Sequence, residues 1–128
     1  MSSEDLHVPR ERLSQEGRLL HYAIVSLKEE LDAVDWYRQR ADDTEDEELR
    51  AVLLHNMREE IEHASMLLEW LRRNNQDFSR SFDTYLYSQG PLTAVETAAE
   101  HGGSVEAPGA RSGGRGALGF TVGRLKGE

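Results

Sequence analysis

Two apolar stripes at helical spacing, joined by a short polar break, constrain this 128-residue chain more than any other feature. Leu13, Leu20, Ala23, Leu27, Leu31 and Val34 recur at spacings of three, four and seven, which predicts a helix over residues 10–41. Pro9 suits its first turn, where a missing N–H costs nothing. Gly17 costs that helix about 1 kcal/mol relative to Ala. Asp42-Asp43-Thr44 breaks the pattern. Thr44 with Glu47 reads as a capping box, and the acidic run Glu45-Asp46-Glu47-Glu48 suits a helix N-terminus. Leu49, Leu53, Asn56, Glu60, His63, Leu67 and Trp70 then mark a second helix ending near Asn74. Phe78, Phe82, Tyr85 and Leu86 predict a short third helix closed by Gly90-Pro91, and residues 92–100 read as a marginal helix. No strand pattern and no internal repeat occurs.

Equal lengths and a short loop make an antiparallel hairpin the simplest packing of the first two helices. Such a hairpin cannot enclose a core. Its apolar face must meet a partner. A second copy of the chain is the simplest one, giving an all-α four-helix bundle with two-fold symmetry.

Charge and composition remove several classes of function. The net charge is −9, from 15 Lys and Arg against 24 Asp and Glu. Nucleic acid and anionic membrane surfaces call for a basic face, so neither is an expected partner. The absence of Cys removes disulfides, thiolate metal sites and a Cys nucleophile, and permits a reducing cytosol. No apolar run approaches the roughly 20 residues of a spanning helix, and Met1-Ser2-Ser3-Glu4-Asp5 does not read as a signal peptide. Nine of the 11 Gly lie from Gly102 onward. That division suggests an N-terminal arm (1–8), a helical hairpin with a short third helix (9–90), a marginal helix and Gly-rich linker (91–117) and a terminal segment (118–128).

The chemistry lies on the stripes. Glu60 and His63, at i and i+3, share one face of the second helix. Glu60 is seven residues from Leu53 and from Leu67, so that face is the apolar one. Glu30 holds the matching place on the first helix, three from Leu27 and four from Val34. Glu-x-x-His alone is weak, because inward Glu residues pair with Lys or Arg and a lone His on such a face is commonly structural. Stoichiometry favours metal. Di-metal carboxylate bundles take one Glu from each of two helices and Glu-x-x-His from each of the other two. One hairpin supplies half that set and its two-fold copy the rest. Four carboxylates clustered without cations would be driven toward protonation, whereas two divalent ions balance them. The donors suit Fe, Mn or Zn.

Around this set other residues have two readings each. Tyr37, one heptad from Glu30, either hydrogen-bonds near a metal or packs in the core. Glu29, Asp32 and Trp36 share a second face of the first helix, either a solvated surface or a path that attracts cations. Glu59 and Glu62 read as solvated, and His55 with Glu59 as a surface pair.

The runs Leu27-Lys28-Glu29-Glu30-Leu31-Asp32-Ala33-Val34-Asp35-Trp36-Tyr37, His55-Asn56-Met57-Arg58-Glu59-Glu60-Ile61-Glu62-His63 and Leu68-Glu69-Trp70 resemble the encapsulated ferritins. Those are two-helix ferritin-like proteins housed in bacterial encapsulin shells. The resemblance, over residues 6–100, implies di-iron ferroxidase centres formed between subunits by Glu30, Glu60 and His63, with Tyr37 beside the iron. It implies that Glu29, Asp32 and Trp36 line an access route, that dimers assemble into rings, typically decamers, and that Fe(II) is oxidised with O2 inside the shell, in the bacterial cytoplasm. Asp32 stands where the family usually has Glu, and its shorter side chain weakens any secondary metal site there. The tail resembles the encapsulin cargo-loading peptide, with Leu118, Phe120, Thr121, Val122, Gly123 and Leu125 as its carriers. Two rival readings have other chemistry: a non-catalytic metal-binding scaffold, and a di-iron peroxidase resembling rubrerythrin.

Overall fold

The computed structural model describes residues 6–102. The tail residues from Leu118 to Leu125 lie outside that range. Among the described residues all regular structure is helical: α1 (Gln15–Asp43), α2 (Glu47–Asn74), α3 (Gln76–Tyr85) and α4 (Leu92–Gly102), preceded by one 3-10 turn, Arg10–Arg12. The fold class is all-α, as the periodicity predicts.

The start of α1 differs from the expectation. Pro9 opens the 3-10 turn, and Leu13 is extended. Ser14 is the true N-cap, its Oγ accepting from Gly17 N at 2.9 Å. Gly17 therefore sits in the first turn rather than the helix interior. A Cβ there would lie 3.2 Å from Ser14 Oγ, tight against the cap.

The cap of α2 is also shifted. Asp46, not Thr44, accepts from the Leu49 N–H at 2.9 Å. Thr44 instead caps α1, its N–H donating to Arg40 O, while its hydroxyl accepts from Asp46 N. Arg50 closes the joint: its Nε donates to Ala41 O at 2.9 Å, and a terminal nitrogen donates to Thr44 O. A carboxylate at the N-cap and a cation on the orphan carbonyls of α1 each satisfy groups that a helix end leaves bare.

Two contacts fix how α1 and α2 run. Arg50 meets Ala41 beside the loop, and His63 meets Glu30 further out. Moving up one helix thus moves down the other, so the hairpin is antiparallel. At 1.5 Å per residue each arm is about 42 Å long.

The hairpin has almost no interior of its own. Ala23, Ala41, Ala64 and Leu71 are the buried apolar residues, and only Leu71 among them is large. Leu19, Leu31, Leu49, Val52, Ile61, Met66 and Trp70 are all exposed. Three of the four buried positions are alanines, which bury too little area to order arms of this length.

The described residues from Asp77 onward form a second compact unit. In α3 the Phe78 and Phe82 rings meet edge to face, centroids 5.7 Å apart. Beyond it Tyr87 takes φ 66° and Gly90 φ 87°. Left-handed backbone stops a helix, and Tyr87 adopts it without glycine's freedom. The sequence marked residues 92–100 as marginal; α4 carries the helix on to Gly102.

Candidate metal centre

Glu30, Glu60 and His63 converge at the seam of the hairpin. Glu60 and His63 are one turn apart on α2, and antiparallel packing brings Glu30 of α1 to the same level. His63 Nδ1 lies 3.1 Å from Glu60 Oε1 and 3.5 Å from Glu30 Oε1. One donor atom from each residue fits within 4.8 Å of the other two. It is the one such cluster of His, Asp and Glu among the described residues.

The group is neither buried nor free in solvent. The side chains of Glu30, Glu60 and His63 are 26%, 23% and 44% exposed. Their surroundings already perturb them. A hydrogen bond to Glu60 holds the Glu30 carboxyl above its ordinary range, and desolvation adds to this. Glu60, accepting from Glu30 and then from His63, is held below its ordinary range. His63 is raised, first by its hydrogen bond to Glu60 and then by the charge of Glu30. Two carboxyls and an imidazole thus share protons in a space of a few ångströms. Crowded carboxylates repel one another, and a bound cation would relieve that repulsion.

The donor set fits a divalent first-row ion. Two carboxylates and one imidazole offer hard and borderline ligands. All three side chains stay partly exposed, so solvent reaches the cluster.

The remaining residues marked in the sequence lie outside this cluster. Tyr37 is half-buried, its ring under the Arg40 guanidinium with 5.7 Å from Cζ to centroid. Glu29 and Asp32 are exposed, and Trp36 is 52% exposed. Glu29 borders an open groove with Leu6, Arg10, His21, Tyr22 and Val25. His55 Nε2 stands 3.8 Å from Glu59 on the surface, as the sequence reading has it. Sequence reasoning missed Arg50, whose only signal was a cation four residues after an N-cap carboxylate.

The EncFtn-like family profile matches residues 5–89, which contain the whole cluster. The chain belongs to the EncFtn-like family. It is 52% identical over 130 residues to the encapsulated ferritin-like protein of Rhodospirillum rubrum, covering 99% of this chain and 91% of that one. It is 46% identical over 94 residues to a ferritin-like protein of Thermotoga maritima, covering 73% and 82%. Among solved structures, protein ne0167 of Nitrosomonas europaea superposes with a TM-score of 0.66 at 48% identity, covering 68% of this chain and 96% of that one. The family and this likeness agree with the helical fold. No helix among the described residues is long and apolar enough to cross a membrane.

Proposed function

We propose that this protein is a ferroxidase that binds Fe(II) between two copies of its hairpin and oxidises it to Fe(III) with O2. The observation that carries the reading is the convergence of Glu30, Glu60 and His63 on an open face, with donor atoms within 4.8 Å of one another. Fe(II) is the substrate. Each ion gives one electron; O2 takes two electrons and two protons to leave as hydrogen peroxide, or four of each to leave as water, and the Fe(III) product leaves for storage elsewhere.

The chain's own residues supply three things. Glu60, the carboxylate held in its charged form, presents negative charge to an arriving cation. Glu30 and His63, both raised, must be deprotonated to act as ligands, so metal competes with protons for them. Carboxylate ligands favour Fe(III) over Fe(II), because the higher charge gains more from hard oxygen donors. Two-fold pairing of hairpins places six such groups around two ions, and it covers the apolar face that a single copy leaves exposed. Tyr37 stands one heptad, about 10 Å, from Glu30 along the same face, and would act from beside the site.

The name of the Rhodospirillum rubrum relative supports an encapsulin shell as the partner of this chain. Residues 118–125 would dock on its inner wall, placing the enzyme in a compartment of the bacterial cytoplasm. Dimers built on this face would close into a ring such as a decamer. Glu29, Asp32 and Trp36, all exposed on α1, would form the cation path to the site.

The test is O2 consumption. Metal-free protein mixed with Fe(II) in air-saturated buffer should take up O2 well above the spontaneous rate. Uptake equal to that of protein-free buffer would overturn the reading. Peroxide turnover faster than O2 turnover would replace it with a di-iron peroxidase, and metal bound without turnover with a scaffold.

A further inference from the structure

One polar residue of the α2 stripe has no hydrogen-bond partner among the described residues. Asn56 lies within the apolar stripe of α2, three residues from Leu53, four from Glu60 and seven from His63. It is half-buried in the single hairpin. Its carboxamide forms no hydrogen bond among the described residues. Asn is also a poor helix former, so local preference does not explain it.

The register of the hairpin gives it a companion. Glu30 and His63 are in contact. One heptad forward on α1 and one heptad back on α2, antiparallel packing sets Tyr37 at the level of Asn56. The Tyr37 hydroxyl likewise makes no hydrogen bond among the described residues, while its ring lies under the Arg40 guanidinium. A polar layer therefore lies about 10 Å along the bundle from the carboxylates, at 1.5 Å per residue. Apart from Glu30, Glu60 and His63, the rest of the two stripes is Leu, Val, Ala and Trp70.

An apolar stripe is tolerant of sliding. A second hairpin could shift by a turn and still bury Leu on Leu. A metal site split between copies cannot tolerate this, because a shift of one turn, about 5.4 Å, separates the two halves of the ligand set. Something in the face must penalise the wrong registers. A single Asn in an apolar helix seam does so: it costs stability, yet only the register that pairs its carboxamide avoids burying it unsatisfied.

We propose that Asn56 is the register key of the face on which the second copy docks, pairing with polar groups of that copy and so aligning the two halves of the metal site. The inference rests on the reading that a second copy completes the site. Asn56 is a positioning residue; it touches no ion.

The test replaces Asn56 with Leu and with Gln, in the full chain. Asn56→Leu should tighten metal-free association about tenfold or more, the scale of burying one further apolar side chain on each copy. The tighter species should be heterogeneous by native mass spectrometry. Co(II) bound per pair of chains, read from its visible absorption, should fall well below wild type. Asn56→Gln retains the carboxamide and should restore both the single species and the Co(II) spectrum. Circular dichroism confirms that each variant is helical. Asn56→Leu that matches wild type in association and in Co(II) loading would overturn the proposal, as would one that associates less. Wild-type protein that associates but binds no Co(II) would count against the metal reading alone, and the association measurement would still judge Asn56.

Discussion

Glu30 and His63 touch across the seam of the hairpin, with His63 Nδ1 3.5 Å from Glu30 Oε1. They are 33 positions apart in the chain. The contact exists only because α1 and α2 pack antiparallel in one register. Local sequence builds each helix, and the register builds the site.

Removing any ligand should remove the chemistry. Glu30→Ala, Glu60→Ala and His63→Ala should each bring Fe(II) oxidation close to the spontaneous rate, since a two-fold site loses two donors per substitution. His55→Ala, on the surface beside Glu59, should stay close to wild type. Initial rates of Fe(III) absorbance decide it. Full activity in His63→Ala would mean that the ligand set is wrong.

Metal affinity should rise with pH. His63 is raised above its ordinary value, so it is more protonated near neutrality than a free imidazole, and the metal must displace that proton. In the metal-free protein the sign is opposite. The charged His63 stabilises the fold fully below its unfolded pKa, and that contribution is lost as pH rises through the raised value. Calorimetry with Zn(II) in buffers of different ionisation enthalpy reads the protons released. Release should be larger at about pH 6 than at about pH 8. Equal release at both would contradict the protonation scheme.

Arg50 should hold the register from a distance. Arg50→Ala strips the Ala41 and Thr44 carbonyls of their donor and should cost roughly 1–3 kcal/mol. Leu71→Ala, at a side chain with 0% exposure, should cost about 2–5 kcal/mol. Urea titrations must be run at one protein concentration, since association adds to apparent stability. Losses below about 0.5 kcal/mol in both would show that the hairpin contributes little order of its own.

The tail should carry address and not chemistry. Deleting residues 117–128 should leave Fe(II) oxidation by the free protein unchanged and abolish co-purification with a co-expressed encapsulin. Val122→Asp with Leu125→Asp should act like the deletion, because charge in an apolar pocket is costly. Undiminished loading of the truncated chain would place the address on the helical body.

The sequence made the stripes legible because both arms are long and strongly periodic. The three residues of the candidate site were legible too, since each falls on a stripe. Helix ends were harder. Ser14 is masked as a cap because the apolar pattern begins at Leu13, one residue before it. Thr44 and Asp46 both satisfy the chemistry of an N-cap, and only the geometry of the turn assigns Asp46 to α2 and Thr44 to α1. Arg50 was invisible because its partners are backbone carbonyls, which have no letter in a sequence.

The most direct test of the account is anomalous scattering at the iron edge from crystals grown with Fe(II). The account predicts two iron peaks for each pair of chains, lying between the two copies and within bonding distance of Glu30, Glu60 and His63 from both. Iron held by one copy alone, or peaks away from these three residues, would contradict it.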